Sequence, residues 1–329
     1  MEDNLKKYID LFEKLAKSPK ESIETHKKET GKGAVGVFPV YAPEELIDAA
    51  GYLPVGIWGG QKVISKARAL FPPFACSIVQ VLTEFMLEGA YDNLDAVLMS
   101  MPCDTLKCFT QKWKGKAAPI IFVHPQNKTL DAANVFLVEE YKLVKEKLEK
   151  ALNVEISNEA IHKSIEVYNE NRQIMRVFAD VAALYPQVVD PIVRHNVFKS
   201  RWFITKKKHT EYVKGFIEEL KKEKPAPWDG KKVVLTGIMT EPKALLEIFK
   251  SEKLAVVADD LAQESRQIRV DTPAGSDPLH RLAGWWYNLD GCSLSMNAEK
   301  AKGKLFEDLA KKYGADAVIV CMMKFCDPE

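Results

Sequence analysis

Between Ala34 and Pro125, short apolar runs alternate with stretches whose apolar residues recur at helical spacing, which predicts a parallel sheet with crossover helices. The strands are read at Ala34–Val40, Leu53–Trp58, Leu94–Met101 and Pro119–Val123. A helix is read at Pro43–Ala50, opened by Pro43, with Glu44 and Glu45 complementing its dipole and Gly51 ending it. A second helix runs over Ser77–Glu88; Pro72 and Pro73 cannot lie inside it, so Cys76 falls at its first turn. Ahead of the sheet, residues 3–29 place Leu5, Ile9, Leu11, Phe12 and Leu15 on one face of one or two surface helices.

From Leu130 to Lys224 the pattern is almost wholly helical, with Leu137, Tyr141, Val144 and Leu148 in register. Its breaks are Ser157, read as an N-cap, and the prolines Pro186 and Pro191. A charged linker with two prolines follows, and then a second α/β pattern. Its strands are Lys232–Thr236, Leu254–Ala258 and Ala315–Met323, and its helices Pro242–Lys253, Leu279–Tyr287 and Lys302–Tyr313. The expected fold class is α/β, with two Rossmann-like or flavodoxin-like domains of parallel sheet joined by a helical segment. The domains are drawn at residues 1–130, 131–228 and 229–329. An open sheet normally continues into a covering helix, so further residues are expected beyond Glu329.

Composition narrows the function. The 329 residues are 47% hydrophobic and 28% charged, with a formal net charge of +1, which argues against nucleic acid as the main partner. The run Lys206-Lys207-Lys208 is read as a solvated turn. No signal-peptide core and no run long enough to span a membrane is seen, so no membrane partner and a cytoplasmic location are expected. Six cysteines in a reducing compartment are core residues or thiolate ligands rather than a disulfide framework.

The glycines Gly31, Gly33 and Gly36 fit the spacing G-x-G-x-x-G, but they follow a helix and run into a strand, the reverse of a dinucleotide-binding fingerprint. They are read as a turn and a tightly packed strand start. No P-loop, G-x-S-x-G or H-E-x-x-H is present. His124, at a strand end before Pro125, is the one histidine placed like a site residue, although strand ends also collect such residues without function.

Of the thiols, Cys108, Cys292 and Cys321 fit helix-face or core positions. Cys76, Cys103 and Cys326 each stand at a strand-to-helix boundary, where open α/β sheets bind ligands and free N–H groups favour a thiolate. Each is also compatible with a small core residue. Three thiolates leave a tetrahedral zinc site incomplete and suit an iron–sulfur cluster with one exchangeable ligand, though spacing alone is a weak signal.

Several strings taken together resemble a known family. They are Tyr41-Ala42-Pro43-Glu44-Glu45-Leu46, Val55-Gly56-Ile57-Trp58-Gly59-Gly60, Phe74-Ala75-Cys76-Ser77-Ile78 and Met101-Pro102-Cys103-Asp104-Thr105-Leu106. Ala258-Asp259-Asp260-Leu261-Ala262-Gln263-Glu264-Ser265-Arg266 and the ending Met322-Met323-Lys324-Phe325-Cys326-Asp327-Pro328-Glu329 complete the set. In order along the whole chain, they resemble the β-type subunit of the (R)-2-hydroxyacyl-CoA dehydratases, nearest to those acting on 2-hydroxyisocaproyl-CoA. Benzoyl-CoA reductase subunits are more distant kin.

The resemblance implies an oxygen-sensitive heterodimer with an α subunit, each subunit carrying a [4Fe–4S] cluster on three cysteines. A separate ATP-hydrolysing iron–sulfur activator would inject one electron. Water would then leave the (R)-2-hydroxyacyl-CoA through a ketyl radical, giving the 2-enoyl-CoA. An electron is needed because a β-hydrogen beside a thioester is barely acidic and hydroxide leaves poorly. Carried over by motif, the ligands are Cys76, Cys103 and Cys326, with the cluster in the cleft between domains. Asp104 and Asp327 follow ligands and would tune the cluster or simply cap N–H groups. Glu264, Ser265 and Arg266 would line the cleft or form an ion pair closing the domain. Two other readings stay open: a cluster that only relays electrons, and a metal-free scaffold with buried thiols.

Overall fold

The computed structural model describes residues 3–296 and 301–326. In chain order the elements begin α1 Asp3–Lys17, α2 Lys20–Thr30, β1 Ala34–Val37, α3 Glu44–Ala49 and β2 Leu53–Gly56. They continue with α4 Ser77–Leu87, β3 Ala96–Ser100, α5 Asp104–Gln111 and β4 Pro119–Phe122. Four helices follow, α6 Asp131–Leu152, α7 Asn158–Ala182, α8 Pro191–Ser200 and α9 Lys206–Leu220. The remainder is β5 Lys231–Gly237, α10 Lys243–Ser251, β6 Leu254–Leu261, α11 Pro278–Asn288, α12 Ala301–Tyr313 and β7 Ala317–Cys321. Both sheets are parallel, ordered β2-β1-β3-β4 and β6-β5-β7.

The residues form two compact units. One holds Glu21–Glu166, Thr272–Glu299 and Met323–Glu329; the other holds Met1–Lys20, Val167–Asp271 and Lys300–Met322. In the first unit β1, β2 and β3 are buried throughout, as strands covered on both faces must be. Phe38, Val79, Leu82, Met99 and Phe109 pack together on the α4 and α5 side. On the α6 and α11 side, Phe122 meets Tyr141 and His124 meets Trp286, with ring centres 5.9 and 5.1 Å apart. Full burial of such side chains contributes about 1.5–3 kcal/mol each. The glycine triplet is explained by packing: a Cβ on Gly36 would stand 2.5 Å from Ile57, and one on Gly33 would strike Asp95, whose carboxylate takes the Ala34 N–H at 2.9 Å.

In the second unit, Phe12 of α1 packs with Phe178 of α7, Val197 and Phe198 of α8 and Phe216 of α9. Val233, Leu235, Leu246, Phe249 and Val256 form the apolar contact between the sheet and α10. Asp190 caps α8 by accepting from Ile192 and Val193 with Pro191 at the first turn, and Ser157 caps α7 by accepting from Ala160.

Two expectations change. Lys206 is not in a solvated turn: it is 1% exposed at the start of α9, its ammonium donating to the Arg201 carbonyl and lying 5.0 Å from the Tyr168 ring. Two aromatic faces and a backbone acceptor offset the loss of water. The last strand is shorter than its apolar run, because pairing with β5 ends at Cys321 and leaves Met322 beyond it exposed. Among the described residues, no helix is long and apolar enough to cross a membrane.

Candidate functional site

The order β2-β1-β3-β4 makes the gap between β1 and β3 the point where the chain changes direction across the sheet, the place where such sheets bind ligands. The exits of the two strands are tied there, since the Ser100 hydroxyl at the end of β3 donates to the Val40 carbonyl at 2.8 Å. Gln126, beyond β4, donates to the Pro102 carbonyl at 2.9 Å. The next residue, Cys103, is the N-cap of α5 in an extended conformation, and Cys76 is the N-cap of α4. Both thiols are half-buried and pack against the same apolar cluster.

Burial pushes the Cys76 thiol up; the neighbouring Cys103 adds to this, while the N–H groups of Val79 and Ile78 pull the other way. The two sulfurs therefore lie close enough to oppose each other's charge, which a cation between them would reverse. Cys326 ends a turn in which its N–H donates to the Met323 carbonyl at 3.0 Å, and the Ser77 hydroxyl, next to Cys76, donates to the Met323 thioether at 2.5 Å. The segment Met323–Cys326 thus groups with Cys76 and Cys103 rather than with the sheet that β7 belongs to. Among the described residues, no three His, Cys, Asp or Glu side chains are grouped as around a single metal ion. Asp104 is exposed at the first turn of α5, and Asp327 lies outside the described residues.

The other thiols differ. Cys108 is exposed on α5, and Cys292 is buried with its sulfur 2.9 Å from the Tyr41 hydroxyl. Cys321 is half-buried and pushed up to about 11 by burial and by the carboxylates of Glu264 and Asp259. His124 is buried between Phe122 and Trp286, and burial lowers it to about 3, so it stays neutral.

Glu264, Ser265 and Arg266 enter a buried charged network at the carboxyl edge of the β5–β7 sheet. Glu264 accepts from Arg194 and His195, both at 2.8 Å, and Arg194 also pairs with Asp259. Glu241 receives Lys199 and stands 3.7 Å from His195. Ser265 donates to the Asp259 carbonyl, while Arg266 and Arg269 pair with Asp260. The three cations of α8 balance Asp259, Glu241 and Glu264 only when His195 is protonated, and its pKa is raised: Glu241 and Glu264 outweigh burial. Reading the sequence missed Arg194, His195 and Lys199, whose i, i+1, i+5 spacing on an unremarkable helix gives no signal.

Residues 39–329 match the family described as 2-hydroxyglutaryl-CoA dehydratase, D-component. The chain belongs to this family. The chain is 57% identical over 323 residues to the lactoyl-CoA dehydratase subunit beta of Anaerotignum propionicum, covering 98% of this chain and 86% of that protein. It is 40% identical to the (R)-phenyllactyl-CoA dehydratase beta subunit of Clostridium sporogenes, covering 99% and 88%. To the (R)-2-hydroxyglutaryl-CoA dehydratase subunit beta of Acidaminococcus fermentans it is 36% identical, covering 98% and 87%.

Proposed function

We propose that the chain is the β subunit of a 2-hydroxyacyl-CoA dehydratase, a hydro-lyase that works with an α subunit and removes water from an (R)-2-hydroxyacyl-CoA. Cys76, Cys103 and Cys326 hold a [4Fe–4S] cluster in this reading, and an ATP-hydrolysing iron–sulfur activator delivers the electron. The observation that carries it is the pair of thiols on the N-caps of α4 and α5 at the switch point of the first sheet, with the Met323–Cys326 turn bonded to Ser77. Such a cluster, when bound, supplies one-electron reduction of a thioester carbonyl, so that the hydroxyl leaves by way of a ketyl radical. The chain's own part is to hold and shield. The helix N–H groups favour the thiolate of Cys76, and Phe71, Val79, Leu106 and Phe109 keep one side dry. Asp104 and Asp327 would cap or tune, and Glu264, Ser265 and Arg266 brace the second sheet.

Anaerobic iron and sulfide analysis tests this. About four of each per chain are expected, lost on Cys76→Ala, Cys103→Ala or Cys326→Ala and kept on Cys108→Ala, Cys292→Ala or Cys321→Ala. Colourless, iron-free protein under those conditions would overturn it in favour of a metal-free scaffold. With the α subunit, activator and ATP present, turnover of a 2-hydroxyacyl-CoA panel is expected from the pair alone.

A further inference from the structure

One face of α4 gathers the segments that carry two of the candidate thiols. Ser77, Gln80 and Glu84 follow one another at i, i+3 and i+7, so their side chains share that face. The Ser77 hydroxyl donates to the Met323 thioether at 2.5 Å, and Met323 is the residue on which the Cys326 N–H closes its turn. Gln80 donates through Nε2 to the Ala75 carbonyl at 2.6 Å and to the Pro73 carbonyl at 3.3 Å, gripping the backbone on both sides of Phe74. Phe74 itself is 70% exposed, so side-chain packing does not hold this stretch. The next residue after Ala75 is Cys76.

Glu84 is 1% exposed and reaches further back along the same loop. It accepts from the Ser65 N–H at 3.0 Å, the Ser65 hydroxyl at 2.8 Å, the Lys66 N–H at 3.2 Å and the Ala67 N–H at 2.9 Å. These donors, the Ala67 N–H foremost, hold its carboxyl at about 2, so the anchor stays ionised. From Ala67 the chain turns into Phe71, whose N–H donates to the Ala67 carbonyl at 2.9 Å and whose ring packs in the cluster that Cys76 also touches. The irregular backbone from Ser65 to Ala75 is therefore pinned at both ends by the helix that it precedes.

We infer that Ser77, Gln80 and Glu84 are positioning residues, which together set where the thiols of Cys76 and Cys326 stand relative to one another. The inference rests on the function proposed above, in which both thiols hold one cluster. Thiols that share a cluster have to stand within about half an ångström of their bound positions, and irregular backbone keeps that precision only where hydrogen bonds hold it. Cys103 is placed independently, by the pairing of β3 with β4 and by the bond from Gln126 to Pro102. It therefore serves as the internal control.

The test uses the full chain with its α subunit, first freed of iron by chelation and then iron-loaded. In the iron-free state, alkylation of each thiol by iodoacetamide is followed by mass spectrometry at one fixed pH. Gln80→Ala and Glu84→Gln are expected to speed labelling of Cys76 at least about threefold by local opening, with Cys103 and Cys108 at the parent rate. Ser77→Ala is expected to do the same for Cys326 and to leave Cys76 unchanged, while Ser77→Thr, which keeps the hydroxyl, restores the parent rate. In the iron-loaded state, Gln80→Ala and Ser77→Ala are expected to lose iron to a chelator about tenfold faster and to broaden the electron paramagnetic resonance signal of the reduced cluster. Parent labelling rates at Cys76 and Cys326 in these variants overturn the inference. Equal acceleration at all thiols, Cys103 and Cys108 included, also overturns it, because that is general loosening of the fold. Ser77 is exposed and Gln80 half-buried, so their variants decide the matter if Glu84→Gln does not fold. A parent protein that takes up no iron sinks the proposed function, whereas labelling of the iron-free chain still judges the positioning.

Discussion

A thiol is made reactive or inert by its neighbours, and the six in this chain differ for that reason. Cys321 lies in an apolar strand and reads from sequence as a core residue, yet it is half-buried with Glu264 and Asp259 facing it. Neither carboxylate is near it in the chain, so no local pattern announces them. The strand-to-helix positions of Cys76 and Cys103 were legible, because a proline and an Asp follow from local chemistry. Held at about 11, Cys321 is a protonated thiol at pH 8 and a poor nucleophile. Alkylation mapped by mass spectrometry at that pH is therefore expected to label the exposed Cys108 well before Cys321. Glu264→Gln should raise the labelling rate of Cys321 by about tenfold, the effect of one pKa unit on the thiolate fraction. Equal rates in the parent and this variant would show that the carboxylates do not control the thiol.

At the level of elements, regular patterns were readable and tertiary anchors were not. The crossover helices, the Ser157 cap and the Pro191 start of α8 all depend on residues within a turn of one another. The loop between β2 and α4 shows only glycines and prolines in sequence, which mark it as irregular without saying that it is fixed. What fixes it is Glu84, nineteen residues beyond Ser65 and inside a helix that otherwise reads as apolar. Glu84→Gln keeps the shape but replaces one acceptor oxygen by a donor that meets backbone N–H groups. Tryptic cleavage at Lys62, Lys66 or Arg68 is expected to accelerate several-fold while helix content by circular dichroism is unchanged. Cleavage at the parent rate would mean that the loop is held by its apolar packing instead.

For the whole molecule, the α/β class and the parallel sheets followed from the alternation of strands and helices, because that alternation is itself the connectivity. The compact units draw on separated stretches, Met1–Lys20 with Val167–Asp271 and Thr272–Glu299 with Glu21–Glu166, and composition along a chain carries no trace of such pairing. The buried charges found this way set the response to pH on both sides of neutrality. In the unit of β5–β7, the raised pKa of His195 means that its stabilisation is fully present below the ordinary value of 6.5 and is lost as pH rises through the raised one. In the unit of β1–β4, His124 is lowered to about 3, so the unfolded chain takes up a proton that the folded one refuses as pH falls from 6.5. Glu84, at about 2 against an ordinary 4.5, adds a loss that begins below 4.5. His209 in the other unit, also at about 3, steepens the acid side further. Each of these histidine protons changes stability by about 1.4 kcal/mol per pH unit in its window. Denaturant unfolding across pH should therefore show stability falling on both sides of neutrality. His195→Gln should be less stable throughout and lose its alkaline slope, because the Arg194–Glu264–Glu241 cluster then carries an uncompensated carboxylate at every pH. His124→Leu should flatten the acid limb between 6.5 and 3 without touching the alkaline one. An alkaline slope that survives in His195→Gln would mean that the imidazolium is not what balances Asp259, Glu241 and Glu264.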